Sequence, residues 1–508
     1  MLARLHEVLV NRLNALGLLC MLALMLFHEP TSMYYYLTIA QLVYIPIVLQ
    51  QVVTLKNWQR AIIAAGQLAV TLLYFFDNGA LSIILALVYM ASTLVIFICG
   101  LQRFLQRGFT NVAELMIDIG LMYIAMGGVW FFAHIAQMNT GFSPTITWLT
   151  AIHFHYSACL LCITVGLLGR LYRSRLFTIS AAIIAAGPML VAIGITFSRV
   201  IEVVSVSLYV LAIFSLAMIV SRLRFQLLAL LLIQLAFLTL CFTIIWSFFY
   251  ALGTVTIPSM LQFHGLLNCV LFGGAITLAW SVFVPPTKQR PFTFPVSHIR
   301  GHAEANGAPH NALVDDMSVF IDKTAVPARI SDFYEQTTNY ELTMRVKWAL
   351  WFKPFAYVYP FISRKIGQLN LPFSAEPQKM ESTITRVSQK LDRRTAPRMW
   401  QRKINGDTVF SAIYSMHTHK SISYMNIALP LPKSAMHGIL ALRTDDNKLY
   451  ITSDAAGDAG TYLALGRYTF KLPLHEYFTI WEEGNQLYAT HKMTLFRLPF
   501  LTISYTIQ

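Results

Sequence analysis

Long apolar runs separated by short polar breaks occupy residues 1–285, and short runs alternating with period two occupy the chain from about Thr383 onward. Apolar runs near the ~20 residues needed to cross a bilayer fall at 8–27, 33–53, 60–76, 80–101, 111–136, 147–169, 177–197, 200–220, 225–252 and 262–284. They predict about ten spanning helices, the third of them short and the seventh interrupted at Gly187-Pro188. The alternating runs include TVFSAIY (408–414), SISYMNIAL (421–429), GILALR (438–443), KLYITS (448–453), YFTIWE (477–482), QLYATHKM (486–493) and FLTISYTI (500–507). Asp445-Asp446-Asn447 and Glu483-Gly484-Asn485 suit hairpin loops between them. The fold class expected is an α-helical polytopic membrane bundle followed by a mostly β soluble domain, a sandwich or small barrel. Such a barrel suits an amphiphile, or a regulatory or assembly role.

Between the halves, Pro285-Pro286 and GHAEANGAPHN (301–311) predict a linker over 286–340, whose His298, His302 and His310 have no ligand frame. The stretch from Tyr340 to Lys365 mixes Trp348, Trp351, Phe352, Phe355 and Tyr359 with Lys347, Lys353, Arg364 and Lys365. That mixture predicts a segment over 341–380 lying on a membrane surface, with packing against the β domain (381–508) as the plainer reading.

Composition supports the division. Hydrophobic residues make up 56% and charged residues 12% of the 508, and the mean hydropathy of +0.57 excludes a single soluble domain. Of 38 Lys and Arg and 24 Asp and Glu, residues 1–285 hold 12 and 6, leaving 26 and 18 for the polar half. All six cysteines sit in apolar runs, consistent with a reducing compartment around the polar half. The first run lacks a small-residue cleavage site before His28-Glu29-Pro30 and reads as a retained span. Arg4, Arg12, Lys56, Arg60, Arg103, Arg107, Arg170, Arg173, Arg175, Arg222, Arg224, Lys288 and Arg290 fall at alternate connections, whereas the others hold only Arg199. The positive-inside rule then gives a multi-pass cell-membrane protein with both termini cytoplasmic.

Polar residues inside the apolar runs are the candidate chemistry, because ionisable groups in lipid are costly and have partners or work to do. His153, His155, His264, Asn268, Glu202 and His134 fall in the expected outer half, and Glu114 and Asp118 in the inner half. Helix phase divides them: residues two apart point roughly 200° apart, so His153 and His155 face different neighbours, and His153 shares its face with Ser157. The plainer reading of the histidines is interhelical hydrogen bonding, of Cys159 and Cys162 core packing, and of Arg199 with Glu202 a helix-end ion pair. The Asp454 to Gly460 stretch lacks the EF-hand ligand order and reads as a turn. The basic run Arg393, Arg394, Arg398, Arg402 and Lys403 suits anionic lipid headgroups, with no motif for nucleic acid.

WLTAIHFHYSA (148–158) and QFHGLLNCVLFGG (262–274) are similar to the paired histidine segments of the YndJ-like family of polytopic membrane proteins. The resemblance covers residues 1–285 and implies a multi-span, transporter-like bundle without a settled substrate.

Taken together, the sequence predicts a transporter-like protein in which Glu114, Asp118 and Glu202 couple a proton or cation and His153, His155, His264 and Asn268 meet a substrate. Two alternatives are a membrane metalloenzyme or haem protein, with the outer-half histidines on a transition metal or haem, and a membrane sensor reporting through the β domain.

Overall fold

Backbone amides in lipid have no water to bond, so an apolar run satisfies them internally as helix. The computed structural model describes residues 2–28, 33–76, 79–109, 111–287, 292–301 and 307–508; Lys288, Arg290 and His302 lie outside them. The chain forms two units, Met1–Phe104 with Asn111–Arg290, and Leu105–Thr110 with Pro291–Gln508.

Among the described residues of the first unit, eight helices are long and apolar enough to cross a membrane: Tyr35–Val52, Ala80–Arg107, Val112–Ile135, Pro144–Leu171, Arg175–Phe197, Arg199–Ser221, Leu227–Ala251 and Ile257–Val282. The first expected span is instead a pair, Leu2–Val10 and Arg12–Phe27, bent by 73° and making a ninth crossing if it acts as one. Asn11 makes the bend, its side chain accepting from the Leu13 amide at 3.2 Å. The third expected span is Asn57–Leu72, 16 residues, which at ~1.5 Å per residue falls short of the ~30 Å apolar layer. The expected ten thus become eight or nine.

Among the described residues, four stretches widen to π-helix: Ala40–Tyr44, Phe154–Leu160, Leu261–Gly265 and Leu267–Phe272. The interruption expected at Gly187-Pro188 does not end its helix, which continues through Pro188 to Phe197. Pro188 has no amide to give Ile184, four residues back. The freed Ile184 carbonyl accepts from the Tyr209 hydroxyl at 3.4 Å instead, and Gly187 lets that ring approach, because a Cβ there would overlap it.

The second unit is a closed antiparallel barrel. Its strands are β1 Leu342–Trp348, β2 Gln378–Arg386, β3 Thr395–Ile404, β4 Asp407–His419, β5 Ile422–Leu431, β6 Ser434–Asp445, β7 Lys448–Thr452, β8 Gly460–Leu465, β9 Tyr468–Lys471, β10 Leu474–Glu483, β11 Gln486–Leu495 and β12 Leu498–Ile507. The order β5-β4-β3-β2-β1-β12-β11-β10-β7-β6 closes where β5 also pairs with β6, and β8 and β9 extend from β6 outside the ring. Ten strands therefore enclose the lumen, and the barrel alternative holds over the sandwich. Asp446 (φ 47°) and Asn447 (φ 56°), like Gly484 (φ 57°) and Asn485 (φ 65°), are left-handed pairs at two-residue loops, the conformation that matches strand twist.

Three sequence expectations change here. The stretch 286–340, expected as linker, carries the helix Ala328–Glu335 and buries Leu313, Met317, Ile330 and Phe333 in the barrel's core cluster. Of the segment 341–380, expected on a membrane surface, the parts in β1 and β2 belong instead to the barrel wall, with Trp348 buried, and the expectation is left to the helix Lys353–Ile366 between them. In the basic run, Arg394, Arg398 and Arg402 are buried rather than facing lipid. Arg394 pairs with Asp392 at 2.6 Å, and Arg398 with Asp315. Strand alternation carries such side chains inward once register is set.

Candidate functional site: a cavity in the helical bundle

The residues expected in two layers, an outer one of histidines, Asn268 and Glu202 and an inner one of Glu114 and Asp118, fall in three places. Glu114 and Asp118, on Val112–Ile135, are buried and tied to arginines of neighbouring helices. Arg103 reaches Asp118 at 2.7 Å and Glu114 at 2.8 Å, and gives a further hydrogen bond to the Val52 carbonyl at 2.6 Å. Arg170 donates to both Glu114 oxygens at 2.8 and 3.0 Å and to the Pro285 carbonyl at 3.0 Å, while the Thr287 hydroxyl bonds Glu114 at 2.7 Å. Opposite charge resolves the repulsion expected of two acids one turn apart, and the bidentate geometry suits a fixed joint between helices.

His155 stands apart. Nδ1 faces the Ala151 carbonyl at 2.8 Å, which only accepts, so this nitrogen carries the proton; Nε2 then accepts from the Tyr89 hydroxyl at 2.6 Å. Gly127 packs against the ring, leaving no room for a Cβ. Both nitrogens are occupied, and the ring holds helices together. Among the described residues no group of three or more His, Cys, Asp or Glu side chains is arranged to hold a metal ion.

His153, Glu202, His264 and Asn268 meet around a cavity of about 290 Å³. Its walls come from Tyr35–Val52, Val112–Ile135, Pro144–Leu171, Arg175–Phe197, Arg199–Ser221, Leu227–Ala251 and Ile257–Val282, and three of the four π stretches contribute lining residues. A π turn rotates the following side chains relative to an α-helix, and such turns recur at functional sites. His264 is fixed by a chain of bonds. Nδ1 donates to the Thr243 carbonyl at 3.0 Å, Nε2 accepts from the Asn268 amide at 3.1 Å, and Asn268 Oδ1 accepts from the Thr243 hydroxyl at 2.8 Å. His153 Nδ1 faces the Leu149 carbonyl at 2.7 Å, so Nε2 is left as an acceptor.

Ser157 lies one turn beyond His153 on the same wall, as the phase requires, and contacts the Tyr209 hydroxyl at 3.1 Å. Arg199 does not form the ion pair expected with Glu202. Its Nε donates to the Ala251 carbonyl at 3.0 Å, and among the described residues no hydrogen bond or ion pair holds the Glu202 carboxylate. His134 bonds the Pro144 carbonyl at 3.2 Å and does not line the cavity.

Sequence reasoning missed Tyr156 and Tyr209. Tyr156 donates to the Tyr36 carbonyl at 2.7 Å and approaches that of Cys269 at 3.3 Å, stitching the π stretches together. Nothing distinguishes these tyrosines from others in apolar runs, although Tyr209 answers a carbonyl that Pro188 makes available. Of the expected membrane-surface residues, Trp348 donates to the Pro372 carbonyl at 3.2 Å and Trp351 to that of Pro499 at 2.8 Å. Lys353, Arg364 and Lys365 are exposed on the helix Lys353–Ile366.

The residues lining the cavity, Tyr36 to Phe272, all fall within the segment matched by the sequence profile of the family described as YndJ-like protein, residues 35–272. The chain is also 36% identical, over 461 residues, to the "Uncharacterized membrane protein YndJ" of Bacillus subtilis (strain 168), covering 83% of each chain. That coverage exceeds what the helical unit alone supplies, so the likeness reaches into the barrel. No solved structure matches the chain. A relative this similar over this much of both sequences shows the family, and the chain is a member of the YndJ-like family of membrane proteins.

Proposed function

We propose that the helical half is a transporter-like unit whose cavity takes a small molecule with an apolar body and a cationic or hydrogen-bond-donating group. The observation that carries this is the pairing, in one apolar cavity, of an unpaired carboxylate, Glu202, with the acceptor nitrogen of His153. An acid in a largely apolar wall is costly unless a cation or proton meets it. Arg199 is near enough to act on Glu202 electrostatically, but it is committed to the Ala251 carbonyl and, among the described residues, no ion pair forms with Glu202. The convergence of π stretches and the proline-bearing helix on the same cavity adds support, since transporter sites are built where helices depart from regularity.

Coupling to a proton or cation is assigned to Glu202. Glu114 and Asp118 are held by Arg103 and Arg170 and belong to the joint. The clustering of basic connections at one end supports a cytoplasmic joint, a cavity nearer the outer face and both termini inside, by the positive-inside rule. The helix Lys353–Ile366, with Phe355, Tyr357, Phe361 and Ile362 exposed and Lys353, Arg364 and Lys365 beside them, lies on the bilayer surface, its cations toward anionic headgroups.

Ethidium, a permanent cation with an aromatic body and amino donors, is a suitable probe of the purified protein in nanodiscs of zwitterionic lipid. Saturable binding, weakened at least tenfold in Glu202→Gln while the melting temperature holds, is the expected result. Equal affinity in wild type and Glu202→Gln contradicts the assignment.

A further inference from the structure

The barrel contains a second cavity, of about 280 Å³, lined almost throughout by apolar and aromatic side chains. Its size has a physical source. An eight-stranded barrel is just filled by its inward side chains or holds one small ligand, and diameter grows with strand number. Ten strands leave space that side chains do not fill, just below the ~300–1,000 Å³ usual for small-molecule sites.

One wall of this lumen holds a cation with no anion. Arg402 on β3 is nine-tenths buried, at 9% exposure, and its guanidinium lies between the Trp400 and Phe410 rings, 4.1 and 4.3 Å from their centroids. The Tyr505 hydroxyl lies close beside it, but Nε has no hydrogen-bond partner. Among the described residues no carboxylate lies within ion-pair distance of it. Glu476, also on the lumen wall, is 3.2 Å from His491, whose ring stacks on Phe478 at 3.8 Å. The contrast is with Arg394 and Arg398, buried in the same domain and each given an aspartate. Aromatic faces compensate a buried guanidinium only in part, and its forked donors match a carboxylate or phosphate.

We infer that the barrel lumen binds a small anionic amphiphile, its carboxylate or phosphate on Arg402 and Tyr505 and its chain along Leu440, Ile480 and Ile503. Phe352 and Tyr359, from the segment bearing the exposed apolar helix, line the same lumen, so the ligand enters beside that helix. This site is independent of the cavity around Glu202.

The test is calorimetric titration of the full chain in amphipol with decanoate, decyl phosphate and decyltrimethylammonium below their micellar concentrations. Decanoate or decyl phosphate should bind saturably near one per chain, whichever is preferred naming the headgroup, and the cationic analogue should not compete. Arg402→Gln should weaken anion binding at least tenfold. Ala489→Phe, which fills the lumen and leaves Arg402 in place, should abolish it, and decides the matter if Arg402→Gln does not fold. Absence of saturable anion binding in folded wild type, equal competition by the cation, or unchanged affinity in folded Ala489→Phe would overturn the inference.

Discussion

At the residue scale, partners decide what a polar side chain does. Polar groups in apolar runs stand out in a sequence, so His153, His264, Asn268 and Glu202 were legible as candidates. Their sorting was not, because Arg103 and Arg170 reach Glu114 and Asp118 from other helices whose rotation the sequence does not give, and Tyr89 likewise claims His155. Arg402 was misread for the same reason: on a strand, one residue of register separates lumen from solvent. The barrel offers a residue-scale prediction in His437. Burial, with Arg394 and Arg300 nearby, pushes its pKa well below the usual histidine value, and the ring stays neutral when folded, 3.2 Å from Asn426 Oδ1. The unfolded chain takes a proton there below about pH 6.5, so it binds more protons than the folded state and stability falls as pH drops. The contribution is about 1.4 kcal/mol per pH unit below that value. Hydrogen-exchange protection of β5 and β6, corrected for intrinsic rates at pH 7.5 and 5.5, should decline less in His437→Gln than in wild type. An identical decline counts against this role.

Elements were legible where their period was clean. The seven alternating runs quoted from the sequence correspond to β4–β7 and β10–β12, and the two hairpin loops have the required left-handed pairs. β1, β2 and β3 were hidden because aromatic and basic residues on them serve a barrel wall rather than a surface, and the closing pairing of β5 with β6 is a long-range fact that no local pattern carries. The π stretches left no mark either, since widening one helical turn changes side-chain direction without changing composition. At Gly187-Pro188 the sequence suggested a break, whereas the helix continues because Tyr209 takes the orphaned Ile184 carbonyl. Gly187→Val should therefore drive the helices Arg175–Phe197 and Arg199–Ser221 apart and destabilise the bundle by about 1–3 kcal/mol, the usual cost of overpacking. Thermal denaturation in detergent would show it, and a variant as stable as wild type would mean that the close approach is unimportant.

For the whole molecule, composition alone separated a lipid-soluble half from a polar half, and the two units follow that division closely. What composition could not give is the interior of each: a cavity with an unmatched acid in one, and a lumen with an unmatched base in the other. The central claim is that the first of these carries a ligand across the membrane. Ethidium flux into liposomes with DNA trapped inside measures it directly, because fluorescence rises only when the cation arrives. The account predicts entry into wild-type proteoliposomes well above protein-free vesicles, reduced at least tenfold in Glu202→Gln reconstituted at equal density. Flux no faster than through protein-free vesicles, or flux indifferent to Glu202→Gln, would contradict it.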